Sequence, residues 1–346
     1  MIREYVHDRR REIIEYLRSY LSQARGRFAD TSPWAEGALD MLYGYTEAGK
    51  MLRGSLACLG YDLAGGDDRA EVVPVAAALE LLQSFLLVHD DIMDRDPTRR
   101  GHPSVHERYA QTARDRGVAD ALHFGYSMAI CVGDVANELA FELLSAYGPE
   151  VVSLVATEIA KTGFAQMSDV ANGLLNTEPT IEEILTVYRY KTGRYTIALP
   201  LSLGAACAGA DAVLRTSLAE AGEELGVVFQ LVDDKIGLLG DESSTGKPVG
   251  SDVAENKKTL IRRLLYDHAD EAARAELDAA FGTFAGSRGV EAVRHVYDRL
   301  KINRYLDELV DRYMERYSRI VDGLDVDQKS LHVLNDFVRY NRSREV

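Results

Sequence analysis

Two apolar runs in this chain each end in a pair of adjacent aspartates, and few folds can accept that arrangement. The first reads Phe85-Leu86-Leu87-Val88-His89-Asp90-Asp91-Ile92-Met93-Asp94 and is followed by Arg99-Arg100-Gly101. The second reads Phe229-Gln230-Leu231-Val232-Asp233-Asp234 and is followed by Gly246-Lys247-Pro248 and Lys257-Lys258. Carboxylates crowded at the end of a greasy segment are unfavourable unless a divalent cation neutralises them. With cations a few residues further on, the pattern suits a ligand that is anionic at one end and hydrocarbon at the other.

The rest of the chain reads as helix. Residues 72–88 are apolar almost all round, as in a central helix rather than a surface one. Near the C-terminus, Val293, Val296, Leu300, Leu306, Leu309, Tyr313, Tyr317 and Ile320 recur mostly at three- and four-residue intervals, a long amphipathic pattern. Sustained period-two alternation is missing, and no linker or composition shift marks a boundary. The clearest loops, residues 96–103 and 240–250, each follow an Asp-rich segment. The expected architecture is all-α: a single-domain helical bundle over residues 1–346, with two buried, antiparallel helices facing their aspartates across a deep central cavity.

Composition narrows the partners. The net charge of −15 over 346 residues argues against nucleic acid or an anionic membrane surface. The cationic sites must then be local. Cys58, Cys131 and Cys207 lie far apart and read as small buried residues in a reducing compartment. The charged N-terminus is unlike a signal peptide, and residues 72–88 and 197–210 are both too interrupted to give a clean membrane span. A cytoplasmic protein without a membrane span is expected.

On a helix, Asp90 and Asp94 lie one turn apart on a shared face while Asp91 points elsewhere. Two such carboxylates can hold Mg²⁺ and leave positions for water and phosphate oxygens, the usual arrangement for Mg²⁺ on a phosphorylated substrate. The alternative, a solvated acidic helix end, is weakened by the apolar run before the motif and by the second pair. Arg99 and Arg100 sit between Pro97 and Gly101, on a constrained loop, and guanidinium groups bind phosphate bidentately. Lys50 and Arg53 are neighbours if a helix starts there. Lys247 lies in a glycine-flanked loop, and Lys191-Thr192-Gly193 offers a cation, a hydroxyl and a flexible position.

Taken together, these residues resemble the trans-isoprenyl diphosphate synthases, the polyprenyl synthetase family, over most of the chain. The motifs come in the family's order and approximate spacing. The resemblance implies an all-α fold with a central cavity, a homodimer, three Mg²⁺ per active site, and head-to-tail condensation of isopentenyl diphosphate with an allylic diphosphate (dimethylallyl, geranyl or farnesyl). It implies that Asp90 and Asp94 hold two Mg²⁺ and Asp233 the third, with Asp234 supporting. Arg99, Lys191 and Lys247 would bind the allylic diphosphate. Lys50, Arg53, Arg100 and Gln83 would bind isopentenyl diphosphate, and Lys257 is a further substrate-binding residue assigned to neither diphosphate. Thr192, Gln230 and the Lys191 carbonyl would face the carbocation. Three departures stand out: Gln83 where histidine is frequent, Met51 where an arginine is common, and Gly237 where the second motif would carry its last aspartate. Activity is expected to survive the last of these.

Product length should depend on the residues one turn below Asp90, namely Phe85 and Leu86. In the family, an aromatic five positions before the first aspartate without one at four fits a twenty-carbon product, geranylgeranyl diphosphate; farnesyl and geranylfarnesyl products are the alternatives. A terpene cyclase would need a different second metal motif and no isopentenyl site. A non-catalytic partner subunit would tend to lose an acidic motif, and here Asp90, Asp94 and Asp233 are all present.

Overall fold

The structure, a computed structural model, describes residues 1–175, 177–240, 250–282 and 286–342. Its regular elements are helical apart from two two-residue strands, as the all-α reading requires. Lys247, with Gly246 and Pro248, lies outside the described residues. The backbone groups into two compact units. The first comprises Met1–Val155, Pro200–Asp211 and Val326–Val333; the second comprises Ala156–Leu199, Ala212–Asp325 and Leu334–Val346.

The first unit is built around α4 (Val73–Met93), with Pro74 in its first turn, where no intrahelical N–H is needed. Its Val75, Ala76, Ala77, Ala78, Leu79, Leu81 and Leu82 are fully buried, as expected for a helix that is apolar all round. α1 (Ile2–Phe28) and α3 (Leu52–Leu63) pack on it, and so does α6 (Ala121–Ser145). A Cβ at Gly54 would meet Ile13 at 2.7 Å and the Ala76 carbonyl at 3.0 Å, so glycine sets how closely α3 approaches α4. The stretch Arg69–Met93 is long and apolar enough to cross a membrane by length and composition, but 61% of its most apolar window is buried within the fold. Strands β1 (Thr98–Arg99) and β2 (His102–Pro103) form a hairpin whose two loop residues, Arg100 and Gly101, both have positive φ (54° and 76°). That is the primed turn a tight hairpin favours.

The second unit centres on α10 (Ala212–Leu239). It crosses a π-helical segment, Tyr188–Ala198, which continues from α8 (Ile181–Val187). The crossing is set by small residues: a Cβ at Gly226 would collide with the Gly193 backbone, and one at Gly222 would stand 2.6 Å from the Ala198 Cα. Leu231, Val232, Leu265, Val293, Leu306 and Tyr313 belong to the core of this unit.

Two expectations need correction. The C-terminal amphipathic pattern is not one long helix but two, Gly286–Arg299 and Ile302–Val321, separated at Lys301, which has φ 53°. The six-residue interval between Leu300 and Leu306 falls at this break. Of the cysteines, Cys58 is buried and Cys207 half-buried, but Cys131 is exposed, because it lies on an outward face of α6.

Candidate active site

In the first unit, α4 carries the first acidic motif to its end. Asp94 caps the helix in right-handed geometry and its N–H donates to the Asp90 carbonyl at 2.8 Å, which keeps the one-turn relation between the two residues. Both are partly accessible, whereas Asp91 is fully buried. Asp91 accepts from the Tyr45 hydroxyl at 2.9 Å and from Arg99 Nε at 2.6 Å. Burial raises its pKa, and the Arg99 charge opposes that shift. Arg99 also reaches Asp96 at 2.9 Å. Arg99 therefore supports the motif through Asp91, a role the sequence reading did not give it.

Of the cations expected to hold isopentenyl diphosphate, Arg53 and Arg100 lie close to one another in this unit. Met51 has φ 52° and opens α3, so Lys50 lies exposed just before the helix and Arg53 in its first turn. Gly49 is buried, and a Cβ there would stand 3.2 Å from Arg100 Nη1. The missing side chain makes room for that guanidinium, which donates to the Tyr45 carbonyl at 3.0 Å. Arg10 fixes the same turn by donating to the carbonyls of Glu47 (2.7 Å) and Gly49 (3.2 Å). Beneath them Glu80 is buried in α4 and accepts from the Gly54 N–H at 2.8 Å. Burial raises its pKa, while Arg53 and Arg100 are close enough to pull it down. Burial also lowers the pKa of Arg100. Gln83, three residues after Glu80 on α4, is half-buried. Phe85 and Leu86 are half-buried too, and the Phe85 ring stands edge-on to His89 with centroids 4.9 Å apart.

In the second unit, the second motif repeats the logic of the first. Asp233 is partly accessible, and Asp234 is buried. Asp234 accepts from the Tyr188 hydroxyl and, at 2.8 Å, from Gln230 Nε2. Gln230 in turn accepts from the Thr192 hydroxyl at 2.8 Å. The Tyr188 oxygen also accepts the backbone N–H of Leu260 at 2.9 Å. Burial pushes the Asp234 carboxyl up to about 8, with the nearby Asp252 charge adding to the shift. Lys191 lies on the π-helical segment and pairs with Asp169 at 2.6 Å. π-Helical turns are rare and concentrate at functional sites. Lys257 Nζ lies 3.1 Å from Glu255, while Lys258 donates to the carbonyls of Leu175 (2.6 Å) and Thr177.

Among the described residues, no three His, Cys, Asp or Glu side chains converge as a metal-binding group. Mg²⁺ does not require one, since it takes one or two carboxylates and completes its octahedron with water and phosphate. The donor sets fit it: hard carboxylate oxygens, one member of each pair accessible and the other locked away by a tyrosine. Sequence reasoning missed Tyr45, Tyr188, Asp169 and Glu80. Only Glu80 left a signal, as a carboxylate interrupting an apolar run.

Comparison with known proteins places the chain in a family. The polyprenyl synthetase family profile matches residues 35–300. The short chain isoprenyl diphosphate synthase of Methanocaldococcus jannaschii is 38% identical over 218 residues, 62% of this chain and 61% of that relative. The geranylgeranyl diphosphate synthase of Sulfolobus acidocaldarius is 31% identical over 307 residues, 85% of this chain and 87% of that one. A crystal structure of geranylgeranyl pyrophosphate synthase from Corynebacterium glutamicum, complexed with isoprenyl diphosphate and magnesium, superposes with a TM-score of 0.89 at 26% identity, covering all of both chains. The chain belongs to the polyprenyl synthetase family and is an enzyme of the trans-prenyltransferase type.

Proposed function

We propose that this protein condenses isopentenyl diphosphate head-to-tail with an allylic diphosphate to make geranylgeranyl diphosphate. The observation that carries the reading is the common build of the two acidic motifs, each with an accessible first aspartate and a second held by a tyrosine. The neighbouring charges of Arg53 and Arg100, with Lys50 exposed just before the same helix, add to it. Residues 1–346 are taken as one catalytic domain to which both motifs contribute, working as a homodimer in the cytoplasm, without nucleic acid or a membrane span.

Asp90, Asp94 and Asp233 would hold three Mg²⁺, with Asp234 in support. When bound, these ions supply charge neutralisation for the departing diphosphate. The protein's own groups do the rest. Arg99, Lys191 and Lys247 bind the allylic diphosphate and stabilise it as the carbon–oxygen bond breaks. Lys50, Arg53, Arg100 and Gln83 hold isopentenyl diphosphate so that its double bond lies beside the allylic carbon. The Thr192 and Gln230 oxygens and the Lys191 carbonyl face the carbocation. Asp234 orients Gln230, so the same hydrogen-bond chain serves both metal motif and cation. The chemistry needs apolar surroundings, because water would quench the cation. A proton is then lost, with the departed diphosphate as acceptor. Phe85 and Leu86 lie beside the growing hydrocarbon and limit its length.

The test incubates purified protein with Mg²⁺, radiolabelled isopentenyl diphosphate and each allylic diphosphate in turn. A chain-extended diphosphate of twenty carbons supports the proposal. A cyclised hydrocarbon would mark a terpene cyclase, and no turnover would mark a partner subunit of a heteromeric synthase.

A further inference from the structure

The second acidic motif lacks a carboxylate at Gly237, yet the fold brings another one to the same place. A Cβ at Gly237 would stand 3.2 Å from Asp252 Oδ2 and 3.9 Å from its Cγ. Asp252 lies in the short helix α11 (Ser251–Ala254), which follows α10 in the second unit. Its position is fixed by backbone bonds on both sides. The Gly250 N–H donates to the Gly237 carbonyl at 3.1 Å, and the Lys257 N–H donates to the Asp252 carbonyl at 2.9 Å. The side chain is 27% exposed, so this carboxylate is neither a core group nor freely solvated. Lys257 Nζ lies 3.9 Å from Asp252 Oδ1, which joins the carboxylate to a lysine of the substrate-binding set. Its charge also acts on Asp234 and Tyr188, the groups that hold the motif together.

We propose that Asp252 supplies, from the following helix, the negative charge that the motif lacks at Gly237. The inference rests on the synthase reading above and names one more residue for the same metal site. Asp252 is a positioning residue: it would act, through charge and through Lys257, on the cation that Asp233 would hold. Gly237 is then a consequence rather than a defect. An aspartate there would put a second carboxylate against Asp252, and the two would repel.

The experiment moves the charge back. Melting of the protein is followed as Mg²⁺ is titrated in the presence of inorganic diphosphate, for wild type, Asp252→Ala, Asp252→Asn and Gly237→Asp combined with Asp252→Ala. Loss of a supporting carboxylate weakens metal binding on the order of 10- to 100-fold. Asp252→Ala and Asp252→Asn are expected to raise the half-saturating Mg²⁺ by that range while melting like wild type without metal. The double variant is expected to recover most of the loss. A wild-type Mg²⁺ titration in Asp252→Asn, or no recovery in the double variant, would overturn the inference while leaving the synthase reading intact. If wild type itself shows no upshift with Mg²⁺ and diphosphate, the synthase reading fails and this inference fails with it.

Discussion

Removing the Tyr188 hydroxyl strips two buried partners at once. In Tyr188→Phe, the Asp234 carboxylate loses a donor and the Leu260 N–H loses its acceptor, and Tyr188 and Asp234 are only 7% and 5% exposed. Above the Asp234 titration, at about pH 9, that bond is to a charged group and contributes about 1.5–3 kcal/mol, and an orphaned buried N–H costs about 1–3 kcal/mol. The sum, taken as about 3–5 kcal/mol because neighbours relax, is large for a single atom. At about 2 °C per kcal/mol for a chain of this size, the melting temperature should fall by about 6–10 °C. The assay is calorimetry of metal-free protein at that pH, since bound ligand would mask the loss and a protonated Asp234 would shrink it. Tyr266→Phe serves as control, because that hydroxyl donates to Asp278 at an exposed site and its removal should cost below about 1 kcal/mol. Turnover should fall as well, because Gln230 and Thr192 depend on the same chain of bonds. If Tyr188→Phe melts like the control, the buried tyrosine–aspartate pair does not hold the motif and the reasoning fails.

Phe85→Ala should lengthen the main product by at least five carbons, since it opens about one helical turn, roughly 5 Å, beside the hydrocarbon. Leu86→Phe should shorten it. A folded, active Phe85→Ala enzyme with unchanged product would place the limit elsewhere, with α6 the next candidate. Arg53→Ala should raise the KM for isopentenyl diphosphate and Lys247→Ala that for the allylic substrate, each by roughly 10- to 150-fold for a lost charge-assisted contact of about 1.5–3 kcal/mol. The reverse pattern would mean that the two sites are exchanged. Glu80 has its pKa raised by burial. Its contribution to stability is therefore greatest below the ordinary carboxylate range, about pH 4, and is lost as pH rises through the raised value. Glu80→Gln, which does not titrate, should gain on wild type in melting temperature as the pH rises above the ordinary carboxylate range, about pH 4. A margin independent of pH would contradict this.

The parts of the fold carried by local pattern were legible in the sequence. The apolar circumference of residues 72–88 announced a central helix, and α4 is that helix. The break at Lys301 was not, because a lysine in left-handed conformation has no compositional sign; only the widened interval from Leu300 to Leu306 hinted at it. At the site, charge motifs named the cations that gather around Glu80 and the aspartates that remain accessible. They could not name Tyr45 and Tyr188, each separated from its aspartate by 46 residues. A tyrosine at that distance is indistinguishable from core until the helices are packed. Arg99 was legible as a cation beside the motif, but its pairing with buried Asp91 depends on the hairpin turn at Arg100-Gly101.

The central claim is that both acidic motifs act in one prenyl transfer. It is tested most directly by turnover of Asp90→Ala and Asp233→Ala with Mg²⁺, isopentenyl diphosphate and farnesyl diphosphate, alongside a circular dichroism melt. Both aspartates are partly accessible, so each variant should keep its fold. Loss of transition-state charge stabilisation should lower turnover on the order of a hundredfold or more in each. Near-wild-type formation of the twenty-carbon diphosphate by either variant would contradict the account.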